Sequence, residues 1–316
     1  MTTPSDPAPC LPSYPPKPSP GDRIAVLSPS SGLPGLLPLP YELGLERLRK
    51  EYGLEPVEYP TTRKMGATPR ERADDIHAAF ADPTVKAVIA SIGGDDQITV
   101  LPLLDRELIR ANPKLTAESL RAALFTSGPY ELRPAERFGD VNRPWQDPAT
   151  FDSEPATEPG GGWIWHRPDR VVEARSWGGN IEILSWLLMA DREIAHDTSV
   201  YDGQVLFLET SEDMPSANDV FWILRSMGER GLLQRFPALL MGRAKAWSFE
   251  RPNDAEAKAR YAREQREAVL KALGMYAPEM MVVFDVDFGH TDPQLVIPYG
   301  GTVRADGPAR RITVTY

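Results

Sequence analysis

Residues 72–96, RADDIHAAFADPTVKAVIASIGGDD, contain a helix pattern, an apolar strand and a glycine turn. The helix pattern should end near Phe80, since Asp82 and Pro83 follow it. The run at 85–91 (VKAVIAS) is almost continuously apolar, which is typical of a strand covered on both faces of a parallel sheet. Gly93 and Gly94 then predict a tight turn out of the strand. This order of elements is the unit from which α/β sheets are built.

The flanking sequence extends the same alternation of strands and helices. Thr68, Pro69 and Glu71 form a typical capped helix start, with Thr68 as N-cap and Pro69 at the first helical position. Further patterns predict strands at 23–28 and 56–59 and helices at 41–52, 97–110 and 116–125. We therefore predict a proline-rich tail at 1–20 and an N-terminal parallel-sheet α/β domain at 21–126.

The second half of the chain predicts another folded unit. Residues 127–176 are polar and rich in Pro, Gly and Trp, and we interpret them as a linker and substrate loop. Apolar strands are predicted at 204–209, 238–241, 280–285 and 311–316, with helices at 180–190, 216–229 and 254–273. The fold class is therefore α/β, with a C-terminal α/β domain at 177–316 whose sheet is mixed or barrel-like.

Composition excludes several classes of protein. The chain carries 35 Lys and Arg against 45 Asp and Glu, a net charge of −10, and it has no basic run that could bind a nucleic acid polymer. Its apolar stretches are far shorter than a membrane span, and no secretory signal is evident. One cysteine, Cys10, excludes an internal disulfide and a multi-cysteine zinc site. We expect a cytoplasmic protein with a small-molecule substrate and no membrane partner.

Three strand ends could carry chemistry. The amides of Gly93 and Gly94 could donate to an oxyanion or a phosphate, although the turn lacks the dinucleotide-binding spacing and could be purely structural. Glu209 ends an apolar strand, where an acid is either functional or a cap. His290 follows another such strand and could act as a general base if a carboxylate orients it.

Other interpretations of the His290 segment remain open. Asp285, Asp287 and Asp292 lie close to His290 in sequence, so a metal site is an alternative, although the calcium-loop pattern fails because Gly289 and His290 stand at its fifth and sixth positions. A histidine that only bonds its own loop is the third possibility.

Three further residues could contact a ligand. Trp163 and Trp165 lie in the glycine-rich loop and could stack on a flat ligand or simply pin the loop to the core. Asn180, at a predicted helix start, could cap that helix or hold a ligand.

Five motifs in their order along the chain resemble the LD-carboxypeptidase and microcin C immunity family of serine peptidases. They are RIAVLSPSS (23–31), RADDIHAAFADPTVKAVIASIGGDD (72–96), RSWGGNIEILSWLL (175–188), VLFLETSED (205–213) and FGHTDPQLVIPYGG (288–301). The resemblance implies a Ser-Glu-His triad with Glu209 and His290, and an oxyanion hole at Gly93 and Gly94. It also implies a homodimer that needs no metal or other cofactor.

The chain departs from the family at the nucleophile. The family places its serine in a Gly-x-Ser-Asp turn, and this sequence contains no Gly-x-Ser. The expected segment is absent at the junction of Lys114 and Leu115, and Ser127 matches a downstream part of the family, so it is not assigned as nucleophile. Either the sequence lacks a segment that the working protein contains, or the nucleophile is lost. We favour the first, because deleting a sheet element would destabilise a marginally stable domain.

The resemblance leaves the substrate open between two activities. One branch cleaves an amide in a microcin C-like peptidyl or aminoacyl nucleotide, and the other removes the terminal D-alanine of cell-wall tetrapeptides. The aromatic loop GWIWHR (162–167) favours the first branch, since aromatic side chains can stack on a nucleobase. A catalytically silent nucleotide- or peptide-binding protein and, more remotely, a metal hydrolase are the alternatives from other classes.

Overall fold

A computed structural model describes residues 14–111, 115–116 and 120–316. Cys10, most of the predicted proline-rich tail and Lys114 lie outside the described residues. The predicted missing segment falls between Lys114, which lies outside the described residues, and Leu115, which lies within them. The structure therefore does not test this prediction.

The N-terminal part is a parallel sheet with helices, as the alternation of patterns predicts. Its four strands lie in the order β2-β1-β3-β4 and all pair in parallel. The strands are β1 (Arg23–Leu27), β2 (Glu55–Glu58), β3 (Val85–Ala90) and β4 (Leu115–Thr116). The helices are α1 (Pro38–Lys50), α2 (Pro69–Ala81), α3 (Arg106–Ala111) and α4 (Leu120–Phe125).

The start of α2 confirms the capping prediction. The Thr68 side chain accepts a hydrogen bond from the backbone N–H of Glu71, and the Glu71 carboxylate accepts one from the backbone N–H of Thr68. These reciprocal bonds satisfy two helix-end donors, and Pro69 supplies the helical φ of the first turn.

The prediction of one helix over 97–110 is wrong. The segment instead forms two short 3₁₀ turns, Asp95–Thr99 and Leu101–Leu103, before α3 begins. Pro102 has no backbone N–H for an α-helical bond, and Leu104 is extended with ψ 131°. The Asp105 carboxylate then accepts from the N–H of Leu108 and starts a new helix. The predicted helix at 116–125 also starts too early, since Thr116 lies in β4.

The C-terminal part is built on a mixed eight-stranded sheet. The strand order is β5-β14-β13-β9-β10-β11-β12-β8, in which β9 to β12 pair in parallel and the other neighbours pair antiparallel. Its strands are β5 (Pro129–Leu132), β8 (Ile164–His166), β9 (Val171–Asn180), β10 (Val205–Glu209), β11 (Ala238–Gly242), β12 (Met281–Val286), β13 (Thr302–Asp306) and β14 (Arg311–Thr315). A separate pair consists of β6 (Arg137–Phe138) and β7 (Glu158–Pro159).

Three helices cover one face of this sheet. They are α5 (Ile181–Met189), α6 (Ala217–Glu229) and α7 (Ala255–Tyr276). None of the helices in the described part of the chain has the length and apolar content of a membrane span.

The segment 127–176, interpreted from sequence as a linker and substrate loop, also supplies β5, β8 and part of β9 to the sheet. These strands were missed because few of their side chains are buried. In β5 only Leu132 is buried, and β8 is an edge strand with the sequence IWH. An edge strand that is exposed on one face lacks the apolar run that marks a central strand.

Alternate residues of the central strands point into two separate cores. Val205 and Phe207 of β10 pack in a cluster that also contains Ile24 and Leu54 of the N-terminal part. Leu206 and Leu208 face the opposite side, among the apolar side chains of α5, α6 and α7. Because side chains alternate along a strand, this pattern holds Glu209 at one fixed position at the end of β10.

Candidate active site

Glu209 lies in a narrow slot at the end of β10. Its side chain is 11% exposed, and glycines line the slot. A Cβ on Gly242 would lie 2.8 Å from the Cβ of Glu209, and a Cβ on Gly289 would lie 2.7 Å from its Oε2 atom. Gly289 also has a φ of +100°, which non-glycine residues rarely adopt. The two glycines therefore leave the space that the carboxylate occupies.

The structure brings His290 into contact with Glu209. The Nδ1 atom of His290 lies 2.7 Å from the Oε2 atom of Glu209, although 81 residues separate them in sequence. The contact forms because β10 and β12 are separated by one strand and end at the same edge of the sheet. A carboxylate on Nδ1 orients an imidazole and favours its charged form, which is the arrangement of an acid–base pair.

A second carboxylate, missed by the sequence analysis, contacts the other nitrogen of the same ring. The Oε2 atom of Glu212 lies 2.9 Å from Nε2 of His290. The only sequence signal was its place three residues after Glu209 in a polar loop. Burial lowers the pKa of His290, but hydrogen bonds with Glu209 and Glu212 outweigh burial and raise the pKa to about 10. The bond with His290 lowers the pKa of Glu212 to about 2.

A third acid fixes the loop that carries Glu212. Glu182, in the first turn of α5, accepts hydrogen bonds from Ser211 through its backbone N–H at 3.0 Å and its hydroxyl at 2.6 Å. Burial raises the pKa of Glu182, although the bonds from Ser211 oppose the rise. The backbone after β10 is thus anchored one residue before Glu212.

Asn180 is the neighbour of Glu209 across the sheet. The two residues pair in the register of β9 and β10. The Oδ1 atom of Asn180 accepts from the N–H of Ile183 at 2.9 Å, so it caps α5, as one of the two sequence interpretations expects. A ligand contact through the amide nitrogen stays a prediction.

The turn at Gly93 and Gly94 is positioned by a buried arginine. Gly94 has a φ of +135°, and a Cβ there would lie 2.5 Å from the Oγ atom of Ser30. Arg72, 2% exposed, donates to the carbonyl of Ser30 and, at 2.5 Å, to the Asp96 carboxylate. Among the described hydrogen bonds, none joins this turn to Glu209 or His290, so the oxyanion-hole role of Gly93 and Gly94 stays a prediction.

The two loop tryptophans are attached to the body of the protein. The indole N–H of Trp163 donates to the buried carboxylate of Asp287 at 2.9 Å, and Asp287 also pairs with Arg243 at 3.0 Å. Trp165 lies in β8, and the guanidinium of Arg310 stands 5.9 Å from its ring centroid. Both rings pack on the core, which supports the pinning interpretation and leaves a substrate contact as a prediction.

Two of the three aspartates that lie close to His290 in sequence are paired with arginines. Asp285 pairs with Arg266 at 3.0 Å, and Asp287 pairs with Arg243. Within the described residues, no three His, Cys, Asp or Glu side chains converge into a set that could hold a metal ion. The metal-hydrolase alternative therefore has no ligand set in this part of the chain.

Comparison with known proteins identifies two matching domains. The LD-carboxypeptidase N-terminal domain matches residues 24–117, and the LD-carboxypeptidase C-terminal domain matches residues 173–305. A protein of Treponema pallidum (strain Nichols) named "Putative carboxypeptidase" is 26% identical over 286 residues, which cover 77% of each chain.

The microcin C7 self-immunity protein MccF of Escherichia coli is 21% identical over an alignment 347 positions long, with 93% of each chain covered. The structure of MccF in complex with glutamyl sulfamoyl guanosine superposes with a TM-score of 0.78 at 21% identity, covering 96% of this chain and 99% of that one. A mutant of MccF in complex with adenosine monophosphate gives a TM-score of 0.79 at 19% identity with the same coverage. The fold is thus shared throughout, and with both family domains matched in order, the chain belongs to the LD-carboxypeptidase family.

Proposed function

We propose that the protein is a serine carboxypeptidase-type hydrolase that cleaves an amide in a microcin C-like peptidyl or aminoacyl nucleotide. The observation that carries the proposal is the contact between Glu209 and His290 at the carboxyl edge of the central strands. Ligands of α/β sheets bind at such edges. Family membership supplies the carboxypeptidase-type chemistry, and the acid–base pair supplies its proton transfers.

The proposed mechanism assigns one role to each group. His290 takes a proton from the serine hydroxyl as the hydroxyl attacks the amide carbon, and it returns the proton to the leaving nitrogen, which leaves an acyl-serine. His290 then takes a proton from a water that attacks the acyl-serine, and it returns this proton to the serine oxygen as the acid product leaves. Glu209 keeps the proton of His290 on Nδ1 and stabilises the imidazolium that forms. The amide of Gly94, with that of Gly93, donates to the oxyanion of the tetrahedral intermediate. No step requires a metal or other cofactor.

The nucleophile is the part of the proposal that needs direct proof. We place it in a segment between Lys114 and Leu115 that the working protein contains. An intact mass above 35.1 kDa, together with labelling by a serine-directed phosphonate, is expected. A mass equal to the sequence and no labelling would refute the peptidase proposal.

The substrate class is supported by the ligands of the relatives. MccF is bound to an aminoacyl sulfamoyl nucleoside in one solved structure and to a nucleotide in another. Trp163 and Trp165 would supply rings for stacking on the base. Hydrolysis of an aminoacyl sulfamoyl adenosine is expected to exceed that of a muropeptide ending in D-alanine. The reverse preference would favour the LD-carboxypeptidase alternative.

A catalytically silent peptide- or nucleotide-binding protein is the second candidate. It is favoured by the lack of a Gly-x-Ser in the sequence and by the position of Glu212 on Nε2 of His290. Calorimetry with adenosine monophosphate, which has no amide to cleave, separates the two, since binding without phosphonate labelling would establish this second function.

We further propose a cytoplasmic homodimer, as is common in the family, that binds neither nucleic acid polymers nor membranes. Sedimentation equilibrium is expected to give twice the monomer mass, and a monomer would refute the assembly.

A further inference from the structure

Both ring nitrogens of His290 are bonded to carboxylates. Glu209 lies on Nδ1 at 2.7 Å, and Glu212 lies on Nε2 at 2.9 Å. In a triad, Nδ1 faces the orienting acid and Nε2 faces the nucleophile. Glu212 therefore stands where the serine hydroxyl would have to bind, and this inference rests on the proposed hydrolase function.

We propose that Glu212 is a positioning residue that holds His290 as an imidazolium in the resting protein, and that its carboxylate must leave Nε2 before His290 can act as a base.

The two carboxylates differ in their freedom to move. Glu209 is 11% exposed and fixed in the slot of Gly242 and Gly289, whereas the Glu212 side chain is 56% exposed. Glu212 has three rotatable side-chain bonds and a largely exposed side chain, so it is the carboxylate that can withdraw, at the cost of its own hydrogen bond to His290.

The backbone around Glu212 is anchored, so the movement belongs to the side chain. Ser211 is bonded to Glu182, and the carbonyl of Pro215 accepts from Tyr261 and Gln265 at 2.9 and 2.8 Å. Rotation of the Glu212 side chain would uncover Nε2 and leave the contact between Glu209 and His290 in place.

The surrounding charges favour the resting state at neutral pH. Glu209 and Glu212 are the charged groups that act directly on His290, and their hydrogen bonds exceed the effect of burial and hold its pKa at about 10. Lys245, buried and bonded to the carbonyl of Asp140, acts on Glu212 through its charge. With a pKa near 10, His290 carries a proton at about pH 7 and cannot accept one from a hydroxyl.

The decisive measurement is the pKa of His290 in the Glu212→Gln variant. The chain has four histidines, so NMR of ¹³C-labelled imidazoles resolves them, and the missing signal of His290→Gln assigns the one of interest. Removing the largely exposed one of two bonded carboxylates should lower the pKa of His290 by about 0.5–1. The substituted glutamine keeps the size of the side chain, so loss of packing does not contribute.

Asp213→Asn is the matched control, because it removes the same charge from the adjacent residue. No described ion pair or hydrogen bond joins the Asp213 carboxylate to His290, so this variant should leave the pKa near that of the wild type. An unchanged pKa in Glu212→Gln, or an equal fall in both variants, would overturn the proposal.

The pH dependence of turnover tests whether the Glu212 carboxylate must leave Nε2 of His290 before catalysis. In Glu212→Gln the rise of kcat/KM with pH should move to lower pH, so the rate at about pH 7 increases relative to both the wild type and Asp213→Asn. An unshifted profile with a lower rate would contradict the inference. The NMR measurement needs no turnover. If the phosphonate does not label the protein, the hydrolase proposal is refuted, and the pKa of His290 in the two variants still tests the role of Glu212.

Discussion

The ends of β10 and β3 are equivalent positions, one in the parallel part of the mixed C-terminal sheet and one in the parallel N-terminal sheet, yet they carry different chemical groups. At β10, three carboxylates and one imidazole form bonds between side chains, and Glu209 and His290 meet from distant parts of the chain. At β3, the glycine turn offers backbone N–H groups. Arg72 positions this turn by donating hydrogen bonds to the carbonyl of Ser30 and to the carboxylate of Asp96.

The neighbouring strands of the two ends differ as well. One neighbour of β10 is β11, with all five residues buried, whereas β4, the neighbour of β3, is described only at Leu115–Thr116. The acid–base half of the proposed site thus lies beside a fully buried strand, while the half expected to carry the nucleophile lies next to residues outside the described part of the chain.

The largest effect is expected from removing the acid–base pair. In the active enzyme, His290→Ala should lower kcat by about 10⁴-fold or more, and Glu209→Gln should lower it by about 10⁴-fold, because the tautomer is no longer fixed. Single-turnover assays with the preferred substrate measure both. His196→Ala, at a side chain 81% exposed, is the control and should retain full activity. Equal rates in all three variants would show that the end of β10 is not the acid–base centre.

Loss of Arg72 tests the N-terminal half. Arg72→Met should cost about 1–3 kcal/mol in the free energy of unfolding, because the carbonyl of the buried Ser30 loses a donor. Urea denaturation measures the cost, and Arg47→Met, in an exposed pair with Glu51, should change the free energy by no more than about 0.5 kcal/mol. If the glycine turn forms the oxyanion hole, kcat should also fall in Arg72→Met.

Filling the slot of Glu209 tests the C-terminal half. Gly289→Ala should destabilise the protein by about 1–3 kcal/mol, because the new methyl group overlaps Oε2 of Glu209 and the φ is positive. Gly66→Ala, at a φ of +69° with open space around it, isolates the backbone strain. Similar costs for the two variants would mean that the slot is not tightly packed.

The smallest effect is the pH dependence of stability at the His290 pair. The pKa of His290 is raised from 6.5 to about 10, so its contribution is complete below about pH 6.5 and is lost as pH rises through about 10. The pKa of Glu212 is lowered from 4.5 to about 2, so that contribution is lost as pH falls through about 2.

The difference in Tm between wild type and Glu212→Gln should therefore be largest between about pH 4.5 and 6.5. Because Glu212 is largely exposed, the difference should correspond to about 1 kcal/mol or less. Calorimetry across this pH range measures it, and a difference that grows toward about pH 10 would contradict the assignment.

The sequence predicted the parts of the fold and site that depend on local patterns or on the family resemblance. The central strands and the capped helix α2 follow from apolar runs and from Thr68, Pro69 and Glu71. Glu209 and His290 could be paired because Glu209 ends one buried strand, His290 follows another, and both match a family motif.

Other features depend on tertiary contacts that leave little local trace. Glu212 is one of several acids in a polar loop, and only the folded loop places it on His290. The bond between Trp163 and Asp287 joins residues 124 apart, and β5 and β8 become strands only because the sheet offers them an edge. Pro102 did carry a local signal against a continuous helix, which the apolar pattern around it outweighed.

The alternation of side chains along β10 has a consequence for variation far from the active site. Val205 and Phe207 belong to one core, and Leu206 and Leu208 belong to the other. The packing of these four side chains therefore sets the position and direction of Glu209, the last residue of the strand. A shift by one residue would exchange the two cores and turn the Glu209 side chain to the opposite face of the sheet. Substitutions in either core can therefore lower the proposed hydrolase activity by displacing the carboxylate of Glu209, even where they make no contact with it.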